Sequence, residues 1–178
     1  MKIGIVSIMI LIIVVVGYFL IPQKINDKVM PMVQIEDNIP DNDVISSESV
    51  DVDYKAKFAI YTQGIKRIFT ASMYHNLSTD VFIESSNPNI VNIRKSNKTW
   101  DDFFKTLPMV LTATCLTTGT GETFCSGQNG ELRFFINGIE DPQALNREIF
   151  ENDQLLVTFG KETQEQISNQ ISSIDANL

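Results

Sequence analysis

The chain of 178 residues carries 22 acidic against 14 basic side chains, a net charge of −8. That balance argues against a nucleic-acid partner, which needs clustered Lys and Arg to neutralise phosphates, and against docking on anionic lipid heads. One histidine and two cysteines leave no ligand set for a tetrahedral zinc site, and neither a metal nor another cofactor is expected.

The first element in chain order is an uncharged apolar run over residues 3–21. As a helix it would cover roughly 28 Å, close to the hydrocarbon thickness of a bilayer. Residues 1–22 are therefore expected to form a retained transmembrane anchor, with the lipid bilayer as partner of residues 3–21. A cleaved signal peptide fits less well, because its apolar region is shorter and ends in small residues, whereas Tyr18-Phe19-Leu20-Ile21-Pro22 offers no such site. Residues 23–56 read as a flexible, disordered acidic linker. Pro22, Pro31 and Pro40 interrupt any helix, and residues 22–57 hold eight acids against four bases. As a coil it would separate domain and membrane by roughly 30–35 Å.

Residues 57–160 are expected to form the folded domain. Residues 58–62, the turn Gln63-Gly64 and residues 65–69 read as strand, turn, strand. Further strands are expected at residues 80–84 and 90–94. Thr99 then caps the clearest helix, with Asp102 at the capping-box position. Trp100, Phe103, Phe104 and Leu107 follow the spacing of one buried face, and Pro108 stops the helix. Strands are expected at residues 110–116 and 123–125. Another hairpin follows, in which Asn137-Gly138 joins residues 132–136 to Ile139-Glu140, since both turn residues must accept positive φ. A last strand covers residues 154–160. In the tail, residues 161–178, Ile167, Ile171 and Ile174 sit at helical spacing and suit a short surface helix.

Cys115 and Cys125 flank a turn-rich segment between strand-like ends, which suits a structural disulfide on an extracytoplasmic domain. Nine intervening residues do not make the Cys-x-x-Cys of a redox catalyst. The flanking lysines do not decide which way the anchor faces. The cysteine pair and two acceptor sequons, the candidate glycosylation sites Asn76 and Asn97, favour an expected position of the domain outside the cytoplasm. His75 stands alone, Gly119-Thr120-Gly121 lacks the remainder of any phosphate-binding motif, and no nucleophile, base and oxyanion donor assemble. No catalytic residue is assigned, and the sequence does not argue for an enzyme.

The helix segment Thr99-Trp100-Asp101-Asp102-Phe103-Phe104-Lys105-Thr106-Leu107, the cysteine pair, residues 132–138, residues 152–160 and the Gln/Ile tail resemble a group of membrane-anchored archaeal proteins, known mostly from ammonia-oxidising archaea. Some members carry a protein-disulfide-isomerase name, an activity not carried over because no Cys-x-x-Cys is present. The C-terminal half is similar to β-grasp modules of the sulfur-carrier and cobalamin-transporter kind. That resemblance implies an α+β fold: a β-grasp-like mixed sheet with one short helix, preceded by a hairpin. The expected function is a membrane-anchored, non-enzymatic extracytoplasmic module that binds a ligand or another membrane or surface protein. The sheet edges and the hairpin tip at Asn137-Gly138 would make the contact. A thiol–disulfide exchange protein using Cys115 and Cys125, or an accessory subunit of a membrane complex, are the alternatives.

Overall fold

Residues 58–62 and 155–159 are apolar at nearly every position, a pattern that suits a strand only when both of its faces are covered. The computed structural model, which describes residues 48–175, places these two segments at the centre of a sheet. In chain order the strands are β1 (Asp51–Thr62), β2 (Ile65–Lys66), β3 (Val81–Glu84) and β4 (Asn87–Lys95). After helix α1 (Trp100–Thr106) come β5 (Val110–Leu111), β6 (Cys115–Thr117), β7 (Thr123–Cys125), β8 (Glu131–Ile136), β9 (Ile139–Glu140) and β10 (Gln154–Gly160), and then helix α2 (Gln164–Asp175). The large sheet runs β3-β4-β1-β10-β8-β9, with β2 also paired to β1, and β5-β6-β7 form a second small sheet. The central pair β1 and β10 is parallel, in register from Lys57↔Gln154 to Thr62↔Phe159, and their outer neighbours β4 and β8 run antiparallel to them.

Because side chains alternate across a strand, the two faces of this sheet carry separate cores. Ala56, Phe58 and Ile60 of β1 join Leu155, Val157 and Phe159 of β10 on one face, together with Val91, Ile93, Leu132 and Phe134. Helix α1 closes that face. Thr99 and Asp102 exchange the reciprocal bonds of a capping box, and Trp100, Phe103 and Phe104 are buried. Phe58 sits among aromatic rings, 5.2 Å from Phe103, 5.9 Å from Phe104 and 5.0 Å from Phe69 between centroids. On the other face Ala59, Tyr61, Leu156 and Phe135 meet Ile167 and Ile174 of α2, with Ile171 packed beside them. A second capping box opens α2. The Thr163 N–H donates to Gln166 Oε1 at 2.8 Å, and the Gln166 N–H donates to Thr163 Oγ1 at 3.3 Å.

The architecture is mixed α+β, with two helices on a large mixed sheet: the short helix expected there, and the helix suggested for the tail, which packs on the sheet and is not merely a surface element. The tail becomes the second helix because the sheet's central strands are apolar on both faces and need a second cover. Residues 51–56, assigned to the linker from their composition, form the first half of β1. There Asp51, Asp53 and Lys55 are exposed, while Val52 and Tyr54 pack against the core and Ala56 is buried in it. Average acidity concealed this two-residue period. The strand expected over residues 65–69 is only two residues long, because the chain turns away to bury Phe69 while leaving Ile68 outside. The single strand expected over residues 110–116 is two strands. Thr112 Oγ1 accepts the Cys115 N–H at 2.9 Å and reverses the chain between them. Asn137 and Gly138 have φ of 52° and 81°, as the hairpin expectation requires.

The apolar run 3–21, the linker up to residue 47 and residues 176–178 lie outside the described residues. Among the described residues no helix is long and apolar enough to cross a membrane.

Among the described residues three carboxyls are held below their ordinary range by hydrogen-bonding cations: Asp80 by Lys98, with Thr79 assisting, Glu140 by Arg133, and Asp141 by Arg147. A carboxyl whose pKa falls on folding adds stability above its unfolded pKa, and that stability is lost as pH falls through the folded value. The urea midpoint should therefore decline as pH drops from about 5 toward 2.5, by less in high salt because these pairs are exposed. In the core, Phe103→Ala should cost about 3–5 kcal/mol in urea unfolding, since the fully buried ring leaves a cavity against Phe58. Thr99→Ala, which removes only the cap, should cost about 1 kcal/mol.

Candidate functional site

The Gln63-Gly64 turn sends the chain back along β1 as β2, and Gln63 and Gly64 both have positive φ. Beyond β2 the chain leaves the sheet, and the small sheet β5-β6-β7 stands across from it. Between them lies a half-open groove of about 220 Å3. Ile60, Phe69, Met109 and Leu116 supply its apolar walls, and Thr118, Gly119 and Thr120 of the β6–β7 turn form its far side. Ile65 and Ile68 rim it at 66% and 73% exposure, high for large aliphatic side chains. Gly119 packs so closely that a Cβ there would come within 2.8 Å of the Pro108 carbonyl oxygen and of Tyr74 Oη. The glycines of Gly119-Thr120-Gly121 are thus explained by packing at 119 and by a left-handed turn at Gly121, whose φ is 89°.

Arg67 fastens the two sheets at one side of the groove. Its Nε donates to Thr62 Oγ1 at 2.6 Å, its Nη1 pairs with Glu122 at 2.9 Å, and its guanidinium lies 5.1 Å from the Phe124 ring centroid. Phe124 in turn packs on Phe159 of β10 at 5.4 Å between centroids. Burial holds the Lys66 ammonium below the ordinary lysine range.

Cys115 and Cys125 face each other across the β6–β7 ladder and are joined as a disulfide, with Cα atoms 4.1 Å apart. The bond closes the hairpin that carries the groove's far side. His75 lies outside the groove's lining, and its Nε2 is 2.8 Å from the Phe69 carbonyl oxygen, fixing the loop that turns Phe69 inward. Asp102 is spent on capping α1, and Asp101 pairs with Lys105 one helical turn on. Both sequon asparagines, Asn76 and Asn97, are exposed at left-handed positions with φ of 54° and 61°. They flank β3 and β4 and are not part of the groove. Among the described residues no three His, Cys, Asp or Glu side chains cluster closely enough to hold a metal ion.

At the other end of β8, the hairpin tip Asn137-Gly138 carries exposed Ile139 beside exposed Phe150. Asn137 is locked by its own bonds, donating to Asp153 and accepting the Gln154 N–H, both at 2.9 Å. The sequence pointed to the sheet edges and this tip as contact surfaces and did not point to the groove. The only signal for the groove was a pair of isoleucines in a segment too short and too charged to be a core strand. No protein-family model, curated protein or solved structure matches the chain.

Replacing both Cys115 and Cys125 with Ser should lower unfolding stability by roughly 2.5–3 kcal/mol, from the entropy of the loop the bond closes. Chemical denaturation with and without reductant measures this, and the double variant should no longer respond to reductant.

Proposed function

We propose that the chain is a membrane-anchored, extracytoplasmic, non-enzymatic interaction module, and that its contact face is the groove between β2 and the disulfide-closed hairpin. The observation that carries the reading is the groove itself, an apolar cleft rimmed by exposed Ile65 and Ile68 on a strongly acidic protein. An isolated exposed isoleucine is ordinary, but a concave apolar site with an exposed apolar rim is the usual form of a binding surface. The strand order β4-β1-β10-β8, with its parallel central pair and α1 between β4 and β8, supports a β-grasp-like description. On this reading the relationship to the membrane-anchored archaeal group is one of shared architecture. The anchor is residues 3–21, and the disulfide and the two sequons favour the outward orientation. Thiol–disulfide exchange draws less support, because the cysteines sit on adjacent strands and not at a helix N-terminus that would depress a thiol pKa.

Protease added outside intact cells should release the domain, and a photo-crosslinking residue at position 68 should form adducts that one at Glu151 does not. A protease-protected domain would remove the outward orientation. Equal labelling at both positions would remove the groove as contact face. Ile68→Asp should abolish the adducts of a crosslinker placed at 65 while changing stability by no more than about 0.5 kcal/mol, as expected of an exposed site.

A further inference from the structure

The two-residue turn after β1 sets which way the backbone of β2 points. Thr62 pairs with Ile65 and Tyr61 with Lys66, and the Arg67 N–H donates to the Ile60 carbonyl at 2.8 Å. Antiparallel strands alternate between residues that bond their partner and residues that face away, so the N–H and C=O of Lys66 point away from β1. Among the described residues no strand covers that side. β4 pairs with β1 only as far as Lys57↔Ile90, and β2 pairs with β1 alone. The sheet position next to the last residues of β1 is therefore held by two residues with an open outer edge, and that edge borders the groove.

The groove's depth and charge narrow what fits there. Its volume, about 220 Å3, exceeds the roughly 150 Å3 of a cavity that takes a benzene ring, so one large apolar side chain can enter. Its lining includes the basic residue Lys66 and no carboxylate, while the Arg67 guanidinium beside it is already paired with Glu122 at 2.9 Å, and the protein as a whole carries a net charge of −8.

We propose, building on the groove as contact face, that its occupant is an extended acidic peptide segment of another protein, which adds a strand to the open edge of β2 and places one large apolar side chain between Met109, Leu116 and Phe69. Main-chain bonds to Lys66 supply the register. Period-two alternation puts the apolar anchor inward and acidic neighbours on the opposite face, toward Lys66, which lies across from Tyr61.

The test uses the full chain in nanodiscs of zwitterionic lipid and a fluorescein-labelled peptide of sequence Glu-Val-Glu-Leu-Glu-Val, read by anisotropy. A second peptide carries N-methyl groups on alternate amides, which removes strand pairing and keeps every side chain. The unmethylated peptide should bind about tenfold tighter than the methylated one. On the protein, Lys66→Pro removes the outward N–H without forfeiting a bond to β1, and should weaken binding about fivefold. Lys66→Met keeps that N–H and should weaken it less. Equal binding of the two peptides would overturn strand addition while leaving the groove as contact face. Binding by neither peptide at about 1 mM would overturn both readings. Comparison of the two peptides on the unaltered chain does not depend on any variant folding.

Discussion

The parallel pairing of β1 with β10 is the constraint on which the rest of the structure depends. The two strands are joined through almost a hundred residues of intervening chain, and they meet in register over six residue pairs. Such a pairing is entropically costly, and it is stable here because apolar side chains leave both faces of both strands. One face takes α1 and the aromatic cluster around Phe58, and the other takes α2. Each helix brings its own capping box, so each is locally competent, yet α1 is only seven residues long and would not persist without the sheet beneath it.

The same pairing positions the groove. β1 ends beside Phe159 of β10, and the turn at Gln63-Gly64 throws β2 back along β1 on the side that β4 has vacated. The small sheet is then held in place by Phe124 against Phe159, by Arg67 between Thr62 and Glu122, and by the disulfide across β6 and β7. A cleft results because the two sheets are fastened at their sides and not zipped along their edges. Its rim is apolar because Ile65 and Ile68 sit where the chain leaves the sheet and, among the described residues, have no layer above them.

Much of the secondary structure was legible in the chain. The capping box at Thr99, the aromatic stripe of α1 and the Asn137-Gly138 turn depend on contacts within a few residues, and each is found where its pattern stands. Where local pattern misled, the cause is identifiable. The acidic character of residues 51–56 hid a strand whose charges all fall on alternate positions. The hydroxyl of Thr112 broke a run of β-formers into two strands, a bond that no propensity scale records. The groove was not legible, because its walls come from β1, the β2 exit loop, the segment after α1 and the β6–β7 turn. No spacing rule connects residues that far apart.

What the sequence by itself determined is everything carried by short-range chemistry: the helix starts and stops, the tight turns, the pairing of the only two cysteines, and the apolar runs that demand cover on both faces. The tertiary structure decided which cover each face receives and docked the tail helix, expected only as a surface element, on the second face of the sheet. It also decided which strand edge is left open, because that follows from where β4 stops and β2 begins along β1, a competition for one sheet position that only the assembled sheet can settle.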